Sequence, residues 1–72
     1  MEYIKVKSSN VDRVGYNNET KELHVIFLTG AEYKYIGVPE SEYLNLVGAE
    51  SVGKYLNGQI KPVYPVEKVN AK

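Results

Sequence analysis

The stretch ELHVIFL, residues 22–28, carries two interleaved apolar sets: Leu23, Val25 and Phe27 at odd positions, Ile26 and Leu28 with His24 at even ones. A strand points successive side chains to opposite faces, and β-branched and aromatic residues suit a pleated, half-buried surface. The segment therefore predicts a central strand, covered at least in part on each face. VDRVGYN (11–17) has the same character, and Gly15 inside it marks a bulge or a close backbone approach. IKV (4–6) predicts a short first strand, followed by a turn at Ser8, Ser9 and Asn10, whose side chains bind nearby backbone. NNETK (17–21) is polar and turn-prone. Thr29-Gly30 predicts a tight turn, since Gly30 is free to take positive φ. EYKYIGV (32–38) then returns as the next strand of an antiparallel meander.

The period changes after Val38-Pro39. Proline cannot donate to a ladder, and it suits the first turn of a helix. Glu40 and Glu42 follow, where the helix dipole favours carboxylates. Tyr43, Leu44 and Val47 predict an apolar stripe two to three turns long, stopped at Gly48. Ser51 predicts the cap of a second helix, SVGKYLN, with Val52, Tyr55 and Leu56 on one face and Asn57-Gly58 at its end. Ile60 is expected to fold back onto the core. Residues 65–72 read as an extended C-terminal tail, fraying by Asn70. The predicted class is α+β: an antiparallel sheet of three to four strands followed by two short helices packed on one face, in a single domain over residues 1–64.

Length and charge narrow the choice of partners. Seventy-two residues make one domain near the limit of independent stability. With 0 Cys, neither a disulfide nor a thiolate metal site supports it, so a homo-oligomer is a live expectation. Nine basic residues balance nine acidic ones, which disfavours a strong grip on a long polyanion. No apolar run approaches the roughly 18 residues that span a bilayer, and MEYIKVKSSN lacks the apolar core of a signal peptide. No membrane role is expected.

The chemistry worth weighing is phenolic. The chain has seven tyrosines and one phenylalanine. Alternation puts Tyr33 and Tyr35 on one face, about 6.6–6.8 Å apart along the strand, with Lys34 on the other. Ile36 and Val38 fall with Lys34 and are the better core candidates, which leaves the two phenols on the less covered face. They then form a stacking platform for bases. The competing structural reading is that the rings cover the helices' apolar stripe and hold their hydroxyls at the rim. A second stretch, GKYLNGQIK (53–61), holds Lys54, Tyr55, Asn57 and Lys61, and free N–H groups near Ser51 could meet phosphate. The structural alternative there is an ordinary capped helix with solvated lysines. Arg13, the one arginine, is the best bidentate phosphate contact, with Lys34 as a second rim cation. His24 is the one histidine, and no nucleophile–base–orienter set can be assembled around it. Neither a catalytic site, a metal site nor a cofactor is expected.

Four stretches in order, SSNVDRVGY, LHVIFLTGAEYKYIGVP, Tyr43 and SVGKYLNGQIK, resemble the KTSC domain family over about residues 7–64. The mark of the resemblance is the Tyr-x-Tyr pair, here Tyr33-Lys34-Tyr35. Leu56 and Asn17 depart from the family pattern, which more often has an aromatic and an aspartate there. The family is named for its place at the C-terminus of some lysyl-tRNA synthetases and also occurs as short stand-alone proteins of bacteria and phages. With no spanning run and no signal-peptide core, a cytoplasmic protein is expected; the resemblance implies a bacterial cell or a phage-infected host as its setting, and RNA binding has been suggested for the family. Together these readings predict a non-enzymatic binding module for a phosphate-bearing ligand, a short single-stranded RNA or a free nucleotide. Tyr33, Tyr35 and Tyr55 would stack, while Arg13, Lys34, Ser51, Lys54, Asn57 and Lys61 would supply polar and phosphate contacts. Its sharpest form is a phage protein that sequesters a nucleotide defence signal. The alternative is a protein–protein module with a tyrosine-rich interface.

Overall fold

The computed structural model describes residues 2–69, and the expected fraying at Asn70 lies outside them. Five strands form one antiparallel sheet in chain order: β1 (Tyr3–Lys5), β2 (Val11–Asn17), β3 (Glu22–Phe27), β4 (Glu32–Ile36) and β5 (Val66–Val69). Helices α1 (Glu40–Val47) and α2 (Val52–Tyr55) lie between β4 and β5. The α+β class and the meander stand. The strand number is five instead of three to four, because the segment read as an extended tail pairs with β4, Val66 opposite Tyr35 and Lys68 opposite Tyr33.

Turn chemistry sets the meander. Ser8 Oγ accepts from the N–H groups of Asn10 and Val11, both at 3.2 Å, and launches β2. Between β2 and β3, Asn17 Oδ1 accepts from Glu19 and Thr20, while Lys21 takes a φ of 61° to close the loop. Gly30, at φ 95°, closes the next hairpin as expected. A bulge between Val11 and Arg13 shifts register at the start of β2.

The covered face follows from the register. Val14 lies opposite Val25, Leu23 opposite Tyr35, and Val25 opposite Tyr33. Paired side chains share a face, so these residues form one apolar surface. Val14, Leu23 and Val25 are fully buried there with Val38, Leu46 and Ile60. This corrects the expected placement of the phenols: Tyr35 is 4% exposed and Tyr33 half-buried, both on the helix side. Lys34 and Ile36 do share the opposite face, but Val38 does not join them. Gly37 adopts a φ of 78°, which breaks the alternation and returns Val38 to the core. Its N–H donates to the Lys21 carbonyl at 2.9 Å.

The helices also differ in detail from the expectation. On α1 the inward stripe is Tyr43, Leu46 and Val47, at i, i+3 and i+4, while Leu44 is 56% exposed. The second helix does not end at Asn57-Gly58. It widens into a π-helical turn, Leu56–Ile60, in which the Lys61 N–H donates to the Leu56 carbonyl at 2.8 Å. Leu56 and Ile60, four residues apart on that turn, both reach the core.

Most tyrosines work at the boundary of this small core. Tyr16 stacks on Tyr43 with centroids 5.0 Å apart and donates its hydroxyl to the Val38 carbonyl. Tyr55 donates to Glu42 Oε1 at 2.8 Å and ties α2 to α1. A phenol buries its ring and keeps a polar end at the surface, which answers why phenylalanine is so scarce.

Candidate functional site

The helices leave one part of the covered face open. There a groove of about 500 Å³ lies between strands β3–β5 and the π-helical turn, within the range of small-molecule sites. Phe27, Tyr33 and Tyr35 line it from the sheet, with Val66 from β5. Asn57 and Lys61 line it from the turn, and Asn10, Thr29 and Ala31 from the loops. The edge of one ring meets the face of the other where Phe27 and Tyr33 pack at 5.7 Å and 75°. Burial, and then the neighbouring Tyr33, push the Tyr35 phenol up from its ordinary value of 10.0. It therefore stays a neutral hydrogen-bond donor. Among the described residues Lys61 is the sole charged side chain lining the groove, and it enters no ion pair there.

The other face of the sheet carries a network of paired polar side chains. Gly15, between β1 and β3, leaves room for the Tyr3 ring, which an added Cβ would meet at 3.1 Å. Tyr3 crosses over Gly15, meets His24 edge-on at 6.4 Å and donates its hydroxyl to Glu32 Oε2 at 2.6 Å. The same oxygen lies 3.1 Å from His24 Nδ1. Glu32 is held below its ordinary value of 4.5, chiefly by the Tyr3 hydrogen bond; burial opposes this and His24 supports it. An ionised Glu32 only accepts, so we place a proton on His24 Nδ1. Tyr3 itself is raised to about 12, first by burial and then by its bond to Glu32. Lys34 lies 3.6 Å from Glu22 and 3.7 Å from Glu67.

The predicted site residues divide between these regions. Tyr33, Tyr35, Asn57 and Lys61 come together in the groove. Arg13 stands on the opposite face and pairs with its neighbour Asp12 at 3.2 Å. Lys34 is there too, held by carboxylates. Ser51 caps α2 by accepting from the Lys54 N–H at 3.3 Å, and the Lys54 side chain is exposed. Tyr55 is engaged with Glu42. Gly53 is buried, and a Cβ there would come within 3.2 Å of Ser8 Oγ, so its glycine serves packing. Phe27, Asn10, Thr29 and Val66 were not singled out as lining the groove. Thr29 sits in a predicted turn, and Val66 in a segment read as tail. Among the described residues no helix is long and apolar enough to cross a membrane, and no group of three or more His, Cys, Asp or Glu is arranged to hold a metal.

A five-strand meander with two short helices on one face, and the Tyr-x-Tyr pair lining a groove under them, defines a small α+β domain of one type. The KTSC domain profile matches residues 7–64, and the chain belongs to the KTSC domain family. It superposes on the crystal structure of a KTSC domain protein from Yersinia pestis with a TM-score of 0.91 at 30% identity, covering 96% of this chain and 97% of that one. A protein of Tsukamurella paurometabola is 39% identical over 79% of this chain and 85% of its own length. An uncharacterized protein of Stutzerimonas stutzeri is 36% identical over 86% and 87%. These bacterial relatives are thus little longer than the domain itself, and their names state no activity.

Proposed function

We propose that this chain is a non-enzymatic binding module for a phosphate-bearing ligand, and that the ligand is a free nucleotide held in the Tyr33–Tyr35 groove. The observation that carries the reading is the convergence of partly exposed aromatic surface and a lysine with no ion pair among the described residues: Phe27 and Tyr33, beside the buried Tyr35, next to Lys61. A base packed on Tyr33 gains about 1–3 kcal/mol. Asn57 offers both a donor and an acceptor to the edge of the base. A single charged wall and a net charge of zero suit a short ligand better than a long RNA. Binding without turnover fits the lining, which holds phenols, amides, a hydroxyl and an amine. Sequestering a nucleotide signal is a role that such binding alone would perform.

Isothermal titration with adenosine monophosphate, and separately with a single-stranded RNA of ten nucleotides, tests this. Saturable binding of the mononucleotide, weakened about tenfold or more in Tyr33→Ala and recovered unmodified, is the expected result. No binding of either ligand at millimolar concentration would end the reading. Tight RNA binding with none of the mononucleotide would replace the free nucleotide with a strand.

A further inference from the structure

We infer that Lys68, on β5, is the second cation of this groove, and that the ligand class is a nucleotide bearing two negative charges. This rests on the nucleotide reading above and adds to it a residue and a charge. Val66 lines the groove opposite Tyr35, and Lys68 is the next same-face position along β5, directly opposite Tyr33. Directly opposed residues in an antiparallel pair share a face, with Cβ atoms about 4.5–5.5 Å apart. Lys68 therefore flanks the Tyr33 ring from the sheet edge, while Lys61 reaches the groove from the π-helical turn. Lys68 is exposed, and among the described residues it enters no ion pair. Glu67, its neighbour, faces the other side of the sheet and is held by Lys34. Two free ammonium groups around one aromatic face match a base with a dianionic phosphate monoester. Among the described residues the groove's lining itself holds one cation, Lys61, and Lys68 at its edge is the second, so a third charge would find no partner there.

The test is a ligand series at constant low salt: adenosine, the cyclic 3′,5′-monophosphate, the 5′-monophosphate and the 5′-triphosphate. Affinity should rise stepwise from the first to the third and level off at the fourth. Lys68→Ala should abolish most of the step between the cyclic and the 5′-monophosphate, about threefold to tenfold, and leave adenosine unchanged. Thermal denaturation of Lys68→Ala, at an exposed position, controls for folding. Equal loss for all four ligands, or no loss for any, would overturn the role of Lys68. An affinity that climbs as steeply to the triphosphate would overturn the charge assignment. Either of these leaves nucleotide binding standing, whereas no binding across the series removes both readings.

Discussion

The two faces of the sheet use their charged groups in different ways. On the open face most cations stand beside carboxylates: Arg13 by Asp12, Lys34 by Glu22 and Glu67, His24 by Glu32; Lys5, opposite Arg13, enters no ion pair among the described residues. On the covered face, the groove holds Lys61 with no carboxylate in its lining, and Lys68 stands beside it. The difference separates Arg13 and Lys34, which stand beside carboxylates on the open face, from Lys61, which has none in the lining of the groove where the ligand is proposed to bind.

The largest expected effect is on the covered face, below the groove. Leu23 is fully buried opposite Tyr35, and Leu23→Ala should cost about 2–5 kcal/mol, read by urea denaturation. In a domain this small, that is a large fraction of the total stability. Next is the open-face network. Tyr3→Phe removes a hydrogen bond to an ionised carboxylate, worth about 1.5–3 kcal/mol. The effect depends on pH in two windows. Tyr3 is raised from 10.0 to about 12 in the folded state, so its contribution is complete below pH 10 and is lost as pH rises through 12. Glu32 is lowered from 4.5, so its contribution is complete above that value and is lost as pH falls through the folded one. The stability difference between wild type and Tyr3→Phe should therefore be flat near neutrality and shrink toward both ends. A difference that stays constant to pH 12 would remove the network from the account. Gly15→Val is third. Its side chain meets the Tyr3 ring and the Glu2 carbonyl, so overpacking, less the strand propensity gained, should leave a net loss of about 1–2 kcal/mol, with faster hydrogen exchange confined to β1.

The strands β2, β3 and β4 were legible because each carries its own alternation and its own turn residues. The open network was not, since Tyr3 and Glu32 are 29 residues apart and nothing local links them. Gly15 alone hinted at it, as a place where something lies close to the backbone. The faces of β4 were misread for one local reason. Strict alternation carries Val38 to the side of Lys34, and only the positive φ of Gly37 undoes that, a conformation glycine permits but does not require. β5 was hidden by Pro62 and Pro65 and by a valine spacing without clear period. It is an edge strand whose ladder partners, from Tyr35 opposite Val66 to Glu32 opposite Val69, lie far back in the chain, and pairing of that kind leaves no signature in a short exposed run. With β5 unseen, Lys68 had no neighbour, so half of the groove's charge was out of reach of sequence reasoning while Tyr33, Tyr35, Asn57 and Lys61 were within it.

The smallest expected effect separates the faces most sharply, because it compares two lysines on neighbouring strands. Lys34→Ala breaks ion pairs with Glu22 and Glu67 whose side chains are 25% and 65% exposed. Exposed pairs of this kind contribute about 0–1 kcal/mol, and salt screens them. Lys34→Ala should therefore lose a few tenths of a kcal/mol at low salt, lose less in molar salt, and keep its nucleotide affinity. Lys68→Ala should do the reverse, keeping its stability and losing affinity for the doubly charged nucleotide. Urea titration and calorimetry on the same two variants read both quantities. If Lys34→Ala weakens nucleotide binding as much as Lys68→Ala does, the ligand does not distinguish the faces, and the groove loses its claim to be the site.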